Sequence, residues 1–215
     1  MKKNILQLML LISMLFVFGN SANAATIFNY GSQWNYHQAE GNQYEWFISS
    51  TFGDDRPTEP FLSYDLNSFD WTKATNLGNG SFGNEKNPMY LNATYWKEYT
   101  GLALQKTFTL NGKISNAVLD YGIDNGLIVY INGKNAFRIS ESGGGGNDEH
   151  SFNLDSSLFV IGSNKIQILA QDNGGGTWFD AKLSGDVAPV PEPSSIIMGL
   201  ISLAGYLGIN SNNKN

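Results

Sequence analysis

The chain has 215 residues, 41% of them hydrophobic, with no cysteine and a formal charge of −6 at pH 7. The missing thiols exclude disulfide cross-links, cysteine nucleophiles and thiolate metal centres. An acidic balance with no basic run argues against nucleic acid or anionic lipid head groups as partners.

The N-terminus reads as an export signal. Lys2 and Lys3 form a positive start, and Ile5 to Phe18 is apolar apart from Gln7 and Ser13. Gly19 to Ala24 then ends in an Ala-x-Ala pattern, so residues 1–24 are expected to be a signal peptide cut between Ala24 and Ala25. The segment 25–187 that follows is one domain by size. It carries 10 Lys and Arg against 18 Asp and Glu.

Residues 25–99 are rich in aromatics and loop formers, and predict edge strands with a covering flap. The clearest strand signal runs from Ile114 to Ile139. Ala117, Leu119, Tyr121 and Ile123 alternate with other residues at period two. Asp124-Asn125-Gly126 predicts a turn, and Leu127 to Ile131 a β-branched strand buried on both faces. Asn132-Gly133 is a two-residue hairpin signal, with Asn135 to Ile139 returning. A second block opens at Ser151, with Phe152, Leu154, Leu158 and Phe159 as its apolar positions. Lys165 to Ala170 then reads as a strand with Ile166, Ile168 and Ala170 on one face. Asn173 to Gly176 is a loose loop. The last strand puts Phe179, Ala181 and Leu183 inward and Asp180, Lys182 and Ser184 outward. Short strands with frequent turns and scarce helical periodicity predict an all-β jelly-roll sandwich of about eight strands.

Several segments carry a family resemblance. They are Gly31 to Tyr36, Ser68 to Gly80, Leu104 to Leu110, Ile123 to Gly133, Gly162 to Ile166 and Trp178 to Leu183. In that order the chain resembles the galactose-binding-like jelly-roll modules that accompany secreted bacterial glycosidases and phosphoesterases. The resemblance implies the fold and, in some members, sugar binding or a structural calcium ion; one fold hosts many functions.

The last segment, 188–215, begins with a stiff joint. Pro191-Glu192-Pro193 cannot continue a helix or strand, because proline lacks an amide donor and fixes φ. A hydrophobic helix is expected at about 195–209. From Ser194 to Ile209 is sixteen residues, or about 24 Å of helix against a bilayer core of about 30 Å. The Pro-Glu-Pro element and apolar run resemble the PEP-CTERM sorting signal of exopolysaccharide-producing bacteria. That resemblance implies an exosortase-type processing partner and transient membrane insertion. The chain departs from the usual basic ending, with a single Lys214 among Asn210 to Asn215.

For catalysis the sequence offers little. His37 and His150 are the only histidines, in separate polar stretches, and no serine sits in a nucleophile elbow. Asp120 and Asp180 fall at outward strand positions, and Asp124 lies in a turn, where acids are commonly solvated. A non-enzymatic protein without a cofactor is therefore expected. Sugars are held by aromatic faces and a few amide and carboxylate hydrogen bonds. Asp172, Asn173 and Trp178 supply those groups beside flexible glycines, and Asp124 and Asn125 could approach them. The competing reading makes Trp178 a core cap and Asp172 and Asn173 simple turn formers. Tyr90, Tyr95, Trp96 and Tyr99 form a second aromatic cluster, either a stacking surface or a cover for one sheet. Gly53-Asp54-Asp55 and Asn147-Asp148-Glu149 have oxygens suited to calcium, but neither has the ligand spacing of a metal loop.

The expectation is an exported, non-enzymatic protein of the cell envelope or extracellular matrix that associates with exopolysaccharide. The alternatives are a purely structural protein without sugar affinity and a small polysaccharide hydrolase using Asp124 and Asp172.

Overall fold

A computed structural model describes residues 23–38, 65–87, 92–140 and 146–189. Apart from Ala188 and Pro189, these belong to the compact unit Ala22–Val187. Outside the described residues lie nearly all of the signal segment, Asp54, Asp55 and Tyr90. Pro191, Glu192, Pro193 and the expected helix at 195–209 lie outside them too.

Two six-stranded sheets face each other. In chain order the strands are β1 (Asn23–Phe28), β2 (Trp34–Gln38), β3 (Asn76–Gly78), β4 (Phe82–Gly83), β5 (Thr94–Tyr95) and β6 (Gly101–Leu110). Then come β7 (Gly112–Asp124), β8 (Gly126–Ile131), β9 (Lys134–Ser140), β10 (His150–Asn153), β11 (Gly162–Gln171) and β12 (Trp178–Pro189). The first sheet runs β10-β7-β12-β4-β5, with β1 also paired to β12. The second runs β3-β2-β6-β11-β8-β9. The all-β sandwich expected from the sequence is present. Its strand number exceeds the expected eight, because the first third adds β1 to β5, among them strands of two and three residues.

Period-two alternation sets the core. Ala117, Leu119, Tyr121 and Ile123 from β7 and Phe179, Ala181 and Leu183 from β12 point inward. They meet Leu102, Leu104, Ile166, Ile168 and Ala170 from β6 and β11, with Trp34, Phe82 and Trp96 filling the gaps. Trp34 packs edge-on against Phe28 and Phe179, with centroids 5.5 and 5.8 Å away. Such T-shaped pairs match the positive edge of one ring to the negative face of another.

The second sheet is covered on its outer face as well. Residues 65–75 form two 3-10 turns, Leu66–Ser68 and Trp71–Lys73. They bring Phe69 and Ala74 onto Ala103, Ile128, Tyr130 and Leu169. Gln105 Nε2 donates to Trp71 O and Ala74 O at 3.2 and 3.1 Å, fastening the flap. This is why β8 is buried along its whole length. Asn132 and Gly133 take φ of 50° and 80° in the tight turn to β9, the mirror-image turn that suits twisted strands.

The expected cleavage junction falls inside β1, where Ala24 pairs with Asp186 and Ala25 with Gly185. Among the described residues no helix is long and apolar enough to cross a membrane.

Asp180 departs from the sequence expectation. It lies on the outer face of the first sheet as alternation requires, yet it is buried rather than solvated. The β1–β2 turn folds over it, and its carboxylate accepts from Gly31 N and Ala181 N. Desolvation raises its pKa to about 6.

Candidate functional site

Three connections pass from one sheet to the other at the same end of the sandwich. The chain crosses from β5 to β6, from β7 to β8 and from β11 to β12. All three converge on Gln171, the last residue of β11, which pairs with Gly101 on one side and Gly126 on the other. With glycines in both flanking positions, neither cross-strand neighbour of Gln171 carries a side chain. The edge of the sandwich there is built from turn residues rather than from aliphatic ones.

The expected site residues Asp124, Asn125, Asp172 and Asn173 come together at this end. Asn125 N donates to Gln171 O at 2.9 Å, and Asn125 Oδ1 accepts from Asn173 N at 2.6 Å. The Asp124–Asn125 peptide is cis. Asp172 is 0% exposed. Its Oδ2 accepts from Tyr99 N at 2.6 Å and from Gly174 N at 2.9 Å, while its own N–H reaches Thr100 O at 3.2 Å. Gln171 Nε2 donates to Asn173 Oδ1.

The remaining atoms of this cluster are the unusual part. Asp172 Oδ1, Gln171 Oε1 and Asn173 Nδ2 are buried with no hydrogen-bond partner. Buried polar groups are almost always satisfied, and each exception calls for a physical reason. Leaving a buried acceptor bare costs roughly 1–3 kcal/mol. Desolvation is the main cause that lifts the Asp172 pKa to about 8; its two backbone donors pull the other way, and the charge of Asp124 adds to the rise. Two acidic side chains therefore share a buried corner in which Asp172 Oδ1 lacks a donor.

The surroundings complete the rim. Thr177 Oγ1 donates to Trp96 O at 2.7 Å, and Asn84 Nδ2 to Gly175 O at 3.3 Å. These bonds tie the 172–177 loop to the segments that follow β4 and β5. Lys86 and Glu98 form an ion pair across them at 2.6 Å.

Trp178 is placed differently from the other expected residues. It is 2% exposed, on the outer face of the first sheet, where its partner across β4 is Gly83. On the β7 side lies Gly122, whose Cβ, if present, would be 3.0 Å from the indole Nε1 and 1.7 Å from Gly146 O. The indole is therefore sealed in a glycine trough and has no face for a sugar. The aromatic cluster divides as well. Trp96 is in the core, and Tyr95 and Tyr99 are exposed. Gln171 heads the loop read from the sequence but is not among its expected site residues; its one signal is a polar side chain that follows the apolar run Ile168 to Ala170. Asp148, whose oxygens suit calcium but lack the ligand spacing of a metal loop, accepts from Tyr30 OH at 2.5 Å and lies 3.6 Å from Lys182.

No protein-family model matches the sequence, and no curated relative does. The solved structures similar to it include two PA14 domains. One is a PA14 sugar-binding domain from an RTX adhesin, 14% identical, with a TM-score of 0.28, covering 44% of this chain and 50% of its own. The other is the PA14 domain of the MpAFP antifreeze protein, 15% identical, with a TM-score of 0.33, covering 53% of this chain and 71% of its own. The chain thus spans half the length of the first. Likenesses this partial support no functional conclusion by themselves.

Proposed function

We propose that this end of the sandwich binds carbohydrate through a divalent cation, with calcium the best chemical fit. The observation that carries the reading is the pair of fully buried, partnerless acceptors Asp172 Oδ1 and Gln171 Oε1. A hard cation would satisfy both and would offset the charge of Asp172 and Asp124. Among the described residues no three His, Cys, Asp or Glu side chains converge as a metal group. The donor set here is two carboxylates plus amide and backbone oxygens, which is the kind of set calcium accepts and zinc does not. Asp124, Asn125, Gln171 and Asp172 would hold the ion, and the ion would offer open coordination positions to sugar hydroxyls.

The rest of the reading is an exported, non-enzymatic protein of the envelope or matrix, processed at both ends by signal peptidase and an exosortase-type enzyme. Its support is the sequence of the two termini. Intact mass from the producing cell is expected to show a chain that starts at Ala25 and has lost the segment after the Pro-Glu-Pro element. A full-length mass from the cell interior would refute this.

The decisive binding experiment is a glycan panel probed with purified full-length protein in millimolar calcium chloride or in EDTA. Binding is expected only with calcium, and is expected to vanish in Asp172→Asn. Failure to bind any polysaccharide in either condition would remove the ligand and leave a scaffold role. One observation favours a second reading. A carboxyl raised to about 8 beside a second acid is the asymmetry used by acid–base glycosidases. Reducing-end release that disappears in Asp124→Asn would establish it.

A further inference from the structure

We propose that Tyr99 is the stacking platform of this site, and that the ligand it selects is a neutral pyranose presenting a continuous apolar C–H face. The inference rests on the carbohydrate reading above and narrows it to a substrate class.

Tyr99 occupies left-handed backbone space, with φ of 57°. That conformation is rare and strained for a bulky side chain, so the surroundings must over-determine it. They do so from two sides. Tyr99 N donates to Asp172 Oδ2 at 2.6 Å. The ring lies against Gly174, itself at φ +115°, where a Cβ would sit 2.2 Å from the ring. Any other residue at 174 would push the ring away. The phenol is thus supported on the glycine loop, bonded through its backbone to the innermost carboxylate, and still 42% exposed. Trp96, just before Tyr99 in the chain, and Trp178, after the glycine loop, are buried. The ring face carries negative quadrupole density, which attracts the electropositive axial C–H groups of a pyranose.

Away from the ion, the charges of the rim select against acidic sugars. Asp172 feels both Asp124 and Glu98, and Lys86 at this rim is already engaged by Glu98. At the rim a uronate would meet Glu98 and find Lys86 already paired with it. A neutral ring gives up no charge solvation on entering.

The test is a proton NMR titration of full-length protein in calcium chloride. The probes are methyl β-galactopyranoside, methyl α-mannopyranoside and methyl β-glucopyranoside, with methyl galactopyranosiduronate as the acidic counterpart. At least one neutral probe is expected to show upfield shifts of its ring C–H protons, the signature of an aromatic face. Tyr99→Phe should keep those shifts. Tyr99→Ala should lose them and weaken binding about tenfold, the scale of one aromatic contact. The uronide should bind at least about tenfold more weakly than its neutral counterpart. Should Tyr99→Ala fail to fold, Tyr99→Gly removes the ring while suiting the left-handed backbone. Unchanged shifts and affinity in the folded ring-less variant overturn the proposal, as does a uronide that binds equally or more tightly. If that variant binds normally while Asp172→Asn does not, the site reading survives and only the platform falls. If no probe binds wild-type protein, both fall.

Discussion

The two ends of β11 solve the same problem in opposite ways. At its start, Asn164 is buried and fully satisfied. Its Oδ1 accepts from Val160 N and Asn132 Nδ2 at 2.9 and 2.8 Å, and its Nδ2 donates to Val160 O and Gly162 O at 2.7 and 3.0 Å. Asn132 completes the knot, accepting from Lys165 N and donating to Leu158 O, both at 2.9 Å. At the other end, seven residues or about 23 Å along the strand, Gln171, Asp172 and Asn173 leave buried polar atoms bare. One end spends its polar groups on its own backbone. The other holds them in reserve, which a structural role does not require and a ligand would.

The largest effect expected from this contrast concerns Trp178. If it belongs to the framework rather than to the ligand end beside it in sequence, Trp178→Ala should cost about 3–5 kcal/mol, as truncation of a buried aromatic does. Affinity per folded molecule should stay within twofold or so. A small change in melting with a large loss of sugar binding would return Trp178 to the site. Next comes Asn164→Ala, which strands several backbone groups and should cost about 2–4 kcal/mol without altering calcium binding. Asp172→Asn should do the reverse. In EDTA it should hold or raise the melting temperature, because it removes a buried carboxyl that gains nothing from ionising. In calcium it should abolish the ion-dependent rise in melting that wild-type protein shows. If Asp172→Asn destabilises as much as Asn164→Ala in EDTA, the two ends are alike and the contrast fails.

Much of this architecture is legible in the residues. Alternation in β7, β11 and β12 identifies the inward faces, and Asn132-Gly133 marks the hairpin. The turn chemistry of 124–126 and 172–176 marks two of the three crossings that meet at Gln171. What alternation cannot report is whether an outward face is then covered by a remote segment. Asp180 and Trp178 both point outward, as period two requires. Both are buried, one by the turn around Gly31 and the other between Gly83 and Gly122, with Gly146 against Gly122. Tyr99 shows the complementary gap. Its membership of an aromatic cluster is plain in the sequence, but its tie to Asp172 spans 73 positions and depends on three chain crossings converging.

Asp180 offers the smallest and most specific test of the contrast, because it is a buried acid on the framework side. Its folded pKa is raised from 3.8 to about 6, mainly by desolvation and against the pull of two backbone donors. The folded state therefore holds a proton more tightly than the unfolded chain, and stability falls as pH rises from about 4 to about 6, then levels off for this group. The loss should be up to about 3 kcal/mol. Asp180→Asn keeps an oxygen for Gly31 N and removes the charge, so it should flatten that part of the stability profile and leave calcium affinity unchanged. Thermal melts of both forms in EDTA between pH 4 and 7 decide it. Parallel curves would mean that the turn around Gly31 opens to solvate the carboxylate, and would place this segment among the mobile parts of the sandwich.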